Sequence, residues 1–414
     1  MIVPRVVLQG WEPTVTTHAK GDPAESVFFV PCRTIAIPIA EAEKSRIADD
    51  CRRAIAESVQ PAYARLGTFL EHEYFPATRA TIAASALPDG AAFYAHRLRQ
   101  YTTLDVTPAQ VHEIGLSEVA RIHAEMEAAM RKTGFAGKFP EFLSYLRTDP
   151  RFYPKSAEEL LKACSWVLKR MDGQLPLLFR TLPRIPYGIT PIPDYAAARA
   201  TGAYYSEAPG DGSRAGMYFV NVSNLSNRPL YVVETLSFHE AVPGHHLQLA
   251  LQKELTNLPP LRRFGDFTVF VEGWALYAER LGKEVGFYTD PYQDFGRLTY
   301  ESWRACRLVV DTGIHAFGWP RQRAIDYMAA NTALSLHEIE TEVDRYIANP
   351  GQALGYKMGE IRIRELRKKA EIALGDRFDV RDFHDAVLRN GSVPLDVLER
   401  EIDEYIRKAG GELK

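Results

Sequence analysis

The chain of 414 residues has little cysteine, little net charge and no long apolar run. Its four cysteines are scattered without a C-x-x-C pair, which argues against a zinc ribbon or a disulfide framework, so we expect free, partly buried thiols. A net charge of −3 provides no basic surface for nucleic acid or anionic membranes. No apolar segment approaches the roughly 20 residues that are needed to span a bilayer.

The first ten residues, MIVPRVVLQG, contain Arg5 and lack the apolar core of a secretory signal. The sequence as written therefore predicts a cytoplasmic protein without nucleic-acid or membrane partners. A short peptide or another small molecule is the expected substrate, and a second copy of the chain is the candidate protein partner.

Apolar residues recur at three- and four-residue spacing along most of the chain, which is typical of amphipathic helices. The exception is the segment 181–236, which is rich in Pro, Gly, Tyr and Ser. Within it, Tyr204, Tyr205 and 217-MYFVNVS-223 have the character of strands. No linker is long enough to separate two domains. We predict one mostly α-helical domain over residues 1–414, with a small antiparallel sheet beside a His-rich helix; two helical lobes around a cleft fit the same pattern.

The segment 238-FHEAVPGHHLQL-249 brings His239, Glu240, His245 and His246 into eight residues. In the zinc-peptidase helix H-E-x-x-H, the two histidines lie four residues apart and share one face. On an unbroken helix, His245 would be rotated by about 600° from His239, and His246 would lie about 10 Å further along the axis. Because zinc–nitrogen bonds are only about 2 Å long, a continuous helix cannot place either histidine on one ion with His239.

Pro243 and Gly244 change this expectation. Pro243 lacks an N–H group and clashes with the carbonyl of His239, so the helix must kink or bulge. Gly244 permits backbone angles that other residues avoid. A two-residue bulge would let His245 take the place of the usual second ligand, and His246 is the competing candidate.

Two glutamates from a later helix complete the predicted zinc site. The third ligand should come from another helix, with one coordination position left for water. Glu272, in 269-VFVEGWALYAERLG-282, fits this role, and Glu279 is placed to orient a ligand imidazole. Glu240, beside the first ligand, would take a proton from the activated water and pass it to the leaving amine. The alternative is a helix end with capping histidines and structural carboxylates.

Three segments, HEAVPGHHLQ, FVEGWALYAE and RLVVDTGIHAFGW, resemble a large bacterial family of uncharacterised metallopeptidase-like proteins that carry H-E-A-x-P-G-H-H-x-Q. This family is distantly similar to the helical gluzincins: thimet oligopeptidase, carboxypeptidase Taq and angiotensin-converting enzyme. The resemblance covers nearly the whole chain and implies a gluzincin-like helical catalytic domain. It implies Glu272 as the third ligand and, because G-H-H-L-Q parallels the thimet-type G-H-A-L-H, it favours His245.

The chain differs from the proteins that it resembles in two ways. Family members are commonly longer at the N-terminus, often with an extra helical region and a signal or lipoprotein sequence, so this chain is expected to begin part-way into the family pattern. The second departure is from the better-known gluzincins, because Pro243 and Gly244 interrupt their H-E-x-x-H helix.

Two residues in the C-terminal half are candidate catalytic residues. Tyr356, in 350-PGQALGYKMGE-360, resembles the tyrosines that stabilise the oxyanion in thimet-type enzymes. His315 is a candidate donor to a substrate carbonyl, with Asp311 four residues earlier on the same helix face to orient it. The structural alternatives are a buried aromatic residue and a satisfied core histidine.

Substrate binding is assigned to three further residues. Arg304 or Arg307 is placed to hold a C-terminal carboxylate through a bidentate contact, with a helix-surface salt bridge as the alternative. Asn221 lies on the strand 217–223, whose edge is a candidate for pairing with an extended peptide. An ordinary buried strand is the alternative there.

These residues predict zinc-dependent hydrolysis of peptide bonds in short peptides, of the carboxypeptidase or oligopeptidase kind, with Zn²⁺ as the cofactor. A metal-dependent hydrolase of a non-peptide amide or ester is one alternative. The other is a catalytically inactive peptide-binding protein, which would be expected to have lost Glu240 first.

Overall fold

Helices dominate the computed structural model, which describes residues 2–197 and 200–410, so the mostly α-helical class is confirmed. The chain packs as two compact units, Met1–Ile82 and Ala83–Lys414. All the candidate site residues fall within the larger unit.

Within residues 2–82, the smaller unit has four α-helices, with a π-helical turn after each of the last two. They are α1 Glu12–Thr16, α2 Val30–Arg33, α3 Glu41–Ala54 followed by Ile55–Val59, and α4 Gln60–Phe69 followed by Leu70–Tyr74. A disulfide joins Cys32 of α2 to Cys51 of α3, with 6.6 Å between their Cα atoms. The expectation of four free thiols is therefore wrong for this pair, because the two cysteines are distant in sequence but adjacent in space. Cys164 and Cys306 are free and buried as expected.

The larger unit contains the remaining helices. They are α5 Gly90–Thr102, α6 Pro108–Lys132, α7 Phe139–Thr148, α8 Ala157–Asp172, α9 Leu175–Leu178, α10 Asp194–Ala197, α11 Val233–Glu240, α12 His245–Glu254, α13 Pro260–Phe264, α14 Thr268–Leu281, α15 Pro291–His315, α16 Arg321–Asn331, α17 Leu336–Ala348, α18 Gly355–Leu374, α19 Val380–Leu388 and α20 Leu395–Lys408. Across the described residues, none of the helices has both the length and the apolar character to cross a bilayer.

A three-stranded sheet precedes α11, as expected. Its strands are β1 Tyr187–Pro191, β2 Ala203–Ser206 and β3 Gly216–Val220, in the order β1-β3-β2. The sheet is mixed rather than antiparallel, because β3 runs parallel to β1 and antiparallel to β2. β3 is paired on both sides, so the prediction that its edge is open to a peptide is wrong.

Two helix pairs at the centre of the larger unit determine where the site residues lie. Helix α15 is buried from Phe295 to His315 and packs along α6. Helix α14 packs against α18 at Gly273 and Gly359, where a Cβ atom on Gly359 would come within 1.9 Å of the carbonyl oxygen of Val269. Only glycine allows so close an approach, and this contact fixes the depth of α14 in the core.

Candidate metal centre

The His-rich segment forms two helices rather than one. Helix α11 ends at Glu240 and α12 begins at His245, and the residues between them leave the helical conformation. A Cβ atom on Gly244 would lie 2.1 Å from the carbonyl oxygen of His239, so no larger residue fits here. The indole N–H of Trp274 on α14 donates a 2.9 Å hydrogen bond to the carbonyl of Pro243. The break is thus anchored to the helix that carries Glu272.

The break brings His245 beside His239, and α14 brings Glu272 to both. Oε2 of Glu272 lies 3.5 Å from Nε2 of His239 and 3.4 Å from Nε2 of His245. The two imidazole rings are nearly perpendicular, with centroids 4.7 Å apart. One ligand atom from each of the three side chains lies within 4.8 Å of the other two.

This donor set fits a zinc ion. Ligand atoms about 2.1 Å from a tetrahedral zinc ion lie about 3.4 Å from one another, which matches the separations from Glu272 to the two histidines. Oε2 of Glu272 is buried and has no hydrogen-bond partner in the described part of the chain. A buried carboxylate oxygen of this kind is costly unless a cation binds it. His239, His245 and Glu272 are therefore the residues that would hold the metal.

Electrostatic attraction couples Glu272 to the two imidazoles. Against the effect of burial, the carboxylates of Glu272 and Glu279 raise the pKa of His239 to about 9. Also against the effect of burial, the imidazoles of His245 and His239 hold the pKa of Glu272 well below its usual range. Both shifts reflect a strong mutual attraction between these groups, which is the environment that a divalent cation would enter.

Glu279 orients His239. Nδ1–H of His239 donates to Oε1 of Glu279 at 2.8 Å, which directs Nε2 toward Glu272. Arg304 forms an ion pair with the same carboxylate oxygen of Glu279 at 3.2 Å. A carboxylate behind a ligand imidazole fixes its tautomer and raises its basicity.

His246, the competing ligand, lies outside the cluster. Its Nδ1 is 2.9 Å from the hydroxyl of Tyr205 on β2, and its ring packs against Tyr187 on β1. Burial lowers the pKa of His246 to about 4, so the ring is neutral at physiological pH. The geometry makes His246 a link between α12 and the sheet.

His239, His245 and Glu272 line a cleft of about 390 Å³. Glu240 lines it beside His239, and strand β2 contributes Tyr204 and Tyr205 to its wall. Tyr356 also lines the cleft, with its ring nearly parallel to that of His239 and the centroids 6.5 Å apart. Burial and the nearby Glu272 raise the pKa of the Tyr356 phenol, so that it keeps its proton at neutral pH.

Both arginines expected at the substrate line the cleft, but they differ in their partners. The guanidinium of Arg304 is held by Glu279 and lies 4.2 Å from the ring centroid of Trp303. Arg307 pairs with Glu342 at 2.8 Å and lies between the rings of Trp303 and Tyr356.

Two residues that were predicted to contact the substrate, Asn221 and His315, do not line the cleft. Asn221 is fully buried, and its side-chain NH₂ donates to the carbonyls of Ala197, Ala200 and Thr201, so it stabilises the chain beside the sheet. His315 is also fully buried: Ala84 N–H donates to its Nδ1, and its Nε2–H donates to the carbonyl of Tyr346. These contacts correct both assignments, because neither side chain is among the described residues that line the cleft.

Sequence reasoning missed the polar face of α17. Glu338, Glu342 and Arg345 recur at three- and four-residue spacing and line the cleft. Between Arg307 and Arg345, the pKa of Glu342 falls to about 2 despite burial. Burial raises the pKa of Glu338 to about 7, in spite of nearby arginines. The spacing was visible in the sequence, but it is also that of any solvent-exposed helix face.

Comparisons with known proteins agree with this fold. The chain is similar to two bacterial proteins of known structure, each named a "putative lipoprotein". The protein from Colwellia psychrerythraea is 35% identical with a TM-score of 0.93, over 98% of this chain and 71% of that one. The protein from Shewanella oneidensis is 19% identical with a TM-score of 0.66, over 95% and 72%, and shows the fold alone.

A search of curated protein sequences finds no match. One family model, described as a bacterial protein of unknown function (DUF885), matches residues 1–402. This match spans both compact units and includes every candidate residue of the metal centre. The chain therefore belongs to the bacterial DUF885 family.

Proposed function

We propose that the protein is a zinc-dependent peptidase that hydrolyses peptide bonds in short peptides. The observation that carries the proposal is the convergence of His239, His245 and Glu272, whose donor atoms lie within 4.8 Å of one another, in the cleft that Glu240 also lines. A cleft of about 390 Å³ supports a short substrate segment, since it lies at the small end of ligand-site volumes.

Glu240 is the proton carrier in this mechanism. A zinc ion held by His239, His245 and Glu272 would supply the Lewis acidity that makes water a nucleophile near neutral pH. Glu240 accepts a proton from that water as its oxygen bonds to the peptide carbonyl carbon. It then delivers the proton to the amine nitrogen as the C–N bond breaks, so one water molecule is consumed for each bond cleaved.

Tyr356 stabilises the oxygen on which negative charge develops. Its protonated phenol lies on the same cleft as His239 and is held between that ring and Arg307. A donor fixed in advance at the developing oxyanion contributes on the order of 10²–10³ in rate. Glu279 supports the reaction indirectly, because it keeps His239 in the tautomer that binds metal through Nε2.

The test combines metal analysis with hydrolysis assays after zinc supplementation. The wild type and Glu240→Gln should each bind one zinc ion per chain, while the variant loses about 10²–10⁴ in the rate of peptide hydrolysis. Glu158→Gln, at an exposed ion pair on α8, is the matched control and should keep wild-type activity. Failure to bind any transition metal would overturn the proposal. Turnover of esters or non-peptide amides alone would favour the alternative hydrolase.

A further inference from the structure

The cleft wall formed by α15 and α17 carries three arginines, Arg304, Arg307 and Arg345, and two of them share one carboxylate partner. Arg304 is paired with Glu279. Glu342 pairs with both Arg307, at 2.8 Å, and Arg345, at 3.0 Å, so that one carboxylate serves two guanidinium groups. The excess positive charge lies at the Arg307–Arg345 pair.

Glu338 forms no ion pair with Arg307 or Arg345 among the described residues, and Glu342 is the carboxylate that pairs with both. A Cβ atom on Gly202 would lie 3.8 Å from Oε1 of Glu338 and 3.9 Å from Nη1 of Arg228. Among the cations, Arg228 lowers the pKa of Glu338 most, ahead of Arg304 and Arg307.

Arg307 also has an unused hydrogen-bond donor. Its Nε–H donates to the hydroxyl of Tyr346 at 2.9 Å and its Nη2–H donates to Glu342 at 2.8 Å. Nη1 is buried and has no hydrogen-bond partner among residues 2–197 and 200–410, and the side chain is only 3% exposed. An unsatisfied buried donor costs about 1–3 kcal/mol, so the site gains from a ligand that accepts from Nη1.

The guanidinium is held rigidly. Its central carbon lies 4.3 Å from the ring centroid of Trp303 and 4.1 Å from that of Tyr356. A planar, fixed, cationic donor with excess positive charge around it is the arrangement that binds a carboxylate. Arg304 also has a buried donor, Nε, without a partner in the described chain, but its carboxylate partner Glu279 is not shared with a second guanidinium in that part of the chain.

The position of Arg307 limits which carboxylate it can bind. Tyr356 is close to both groups, with its ring centroid 4.1 Å from the Arg307 guanidinium carbon and 6.5 Å from the His239 ring centroid, so the guanidinium carbon lies within about 11 Å of the His239 ring. Successive Cα atoms are 3.8 Å apart, so one or two residues bridge such a gap. A substrate whose C-terminal carboxylate binds at Arg307 therefore presents one of its last peptide bonds to the metal centre.

We propose, resting on the peptidase function above, that Arg307 anchors the C-terminal carboxylate of the substrate and that the enzyme is a carboxyl-terminal exopeptidase. Water adds across the last or the penultimate peptide bond and releases a free amino acid or a dipeptide. Arg345 strengthens the anchor through its charge, and Glu342 holds the two guanidinium groups in place.

The test measures binding to zinc-loaded Glu240→Gln, so that turnover does not interfere. The probes are alanyl-alanyl-phenylalanine and its C-terminal amide, compared by calorimetry. We expect the free acid to bind at least tenfold more tightly than the amide. Adding Arg307→Lys, which keeps a cation beside Glu342 but removes Nη1, should abolish most of this preference. Adding Arg321→Lys, at the ion pair with Asp344 away from the cleft wall, is the matched control and should preserve it.

Equal affinity for acid and amide in Glu240→Gln would overturn the anchor, and this comparison stands even if the Arg307→Lys protein fails to fold. A full preference in a folded Arg307→Lys protein would also overturn it. Acid-selective binding without turnover by the wild type would instead overturn the peptidase proposal and support the anchor. Efficient cleavage of peptides blocked at the C-terminus would support the peptidase and overturn the exopeptidase assignment.

Discussion

Nδ1 of His239 lies 2.8 Å from Oε1 of Glu279, and both side chains are buried. The carboxylate can only accept from an N–H group, so this contact fixes the imidazole with its proton on Nδ1. Nε2 faces Glu272, where a metal ion would displace its proton and take it as a ligand. One buried hydrogen bond between α11 and α14 thus determines whether the metal centre is preorganised.

Replacing Glu279 with Gln should weaken zinc binding by about 10–100-fold without removing a ligand. The amide oxygen can still accept from Nδ1–H, but the negative charge that makes His239 more basic is lost, together with the ion pair to Arg304. Chelator competition measures the affinity. Glu284→Gln, which removes an ion pair with Arg367 just beyond the end of α14, should leave zinc affinity unchanged. Wild-type affinity in Glu279→Gln would refute the orienting role.

Mutation to Ala should distinguish the roles of the adjacent residues His245 and His246. His245→Ala removes a ligand, and we expect zinc affinity to fall more than about 100-fold while the fold persists. His246→Ala removes the hydrogen bond to Tyr205, and we expect the free energy of unfolding to fall by about 1–3 kcal/mol while zinc stays bound. Metal analysis and denaturant unfolding of both variants provide the check. The reverse pattern would make His246 the ligand.

Local chemistry made the helix break predictable from the sequence. Pro243 cannot donate to the carbonyl of His239, and Gly244 sits where a Cβ atom would collide with that same carbonyl. Each of these constraints acts within six residues, so they could be inferred without a fold. The periodicity of apolar residues likewise sufficed to predict the helical class.

Contacts between distant segments could not be inferred in this way. From the sequence, His315 could have been a donor to the substrate. In the fold, Ala84 and Tyr346, which are distant in sequence, form hydrogen bonds with its two ring nitrogens. Cys32 and Cys51 carried no motif, because their pairing depends on how α2 packs against α3. The sequence spacing of these residues contains no information on which partner each will meet.

The packing of α14 on α18 should control the metal site from a distance. Gly359→Ala places a methyl group 1.9 Å from the carbonyl oxygen of Val269, one turn before Glu272. Relief requires α14 to move, and we expect a loss of about 1–3 kcal/mol in stability together with weaker zinc binding. Gly67→Ala is the control: its Cβ meets only Val15, at 3.7 Å, so the smaller unit should gain about 0.5–1 kcal/mol. Unaltered zinc affinity in a destabilised Gly359→Ala protein would show that Glu272 does not depend on this contact.

Glu338 should make stability fall as pH rises through a defined range. Burial raises the pKa of its carboxyl to about 7 in the folded protein, against an ordinary value of 4.5. Between these values the folded state keeps a proton that the unfolded state has released. Because stability decreases with pH wherever the folded state binds more protons, the free energy of unfolding should decline from pH 4.5 to about 7 and then level off.

Glu338→Gln should remove this decline. Each pKa unit corresponds to 1.36 kcal/mol, so the wild type should lose about 2–3 kcal/mol relative to the variant across the range. Denaturant unfolding between pH 4.5 and 8, with a chelator present so that metal binding does not contribute, measures the difference. Glu340→Gln, on the exposed face of the same helix, is the matched control and should follow the wild type. Parallel curves for the wild type and Glu338→Gln would mean that Glu338 is ionised in the folded cleft and that its negative charge offsets the positive charge at Arg307 and Arg345.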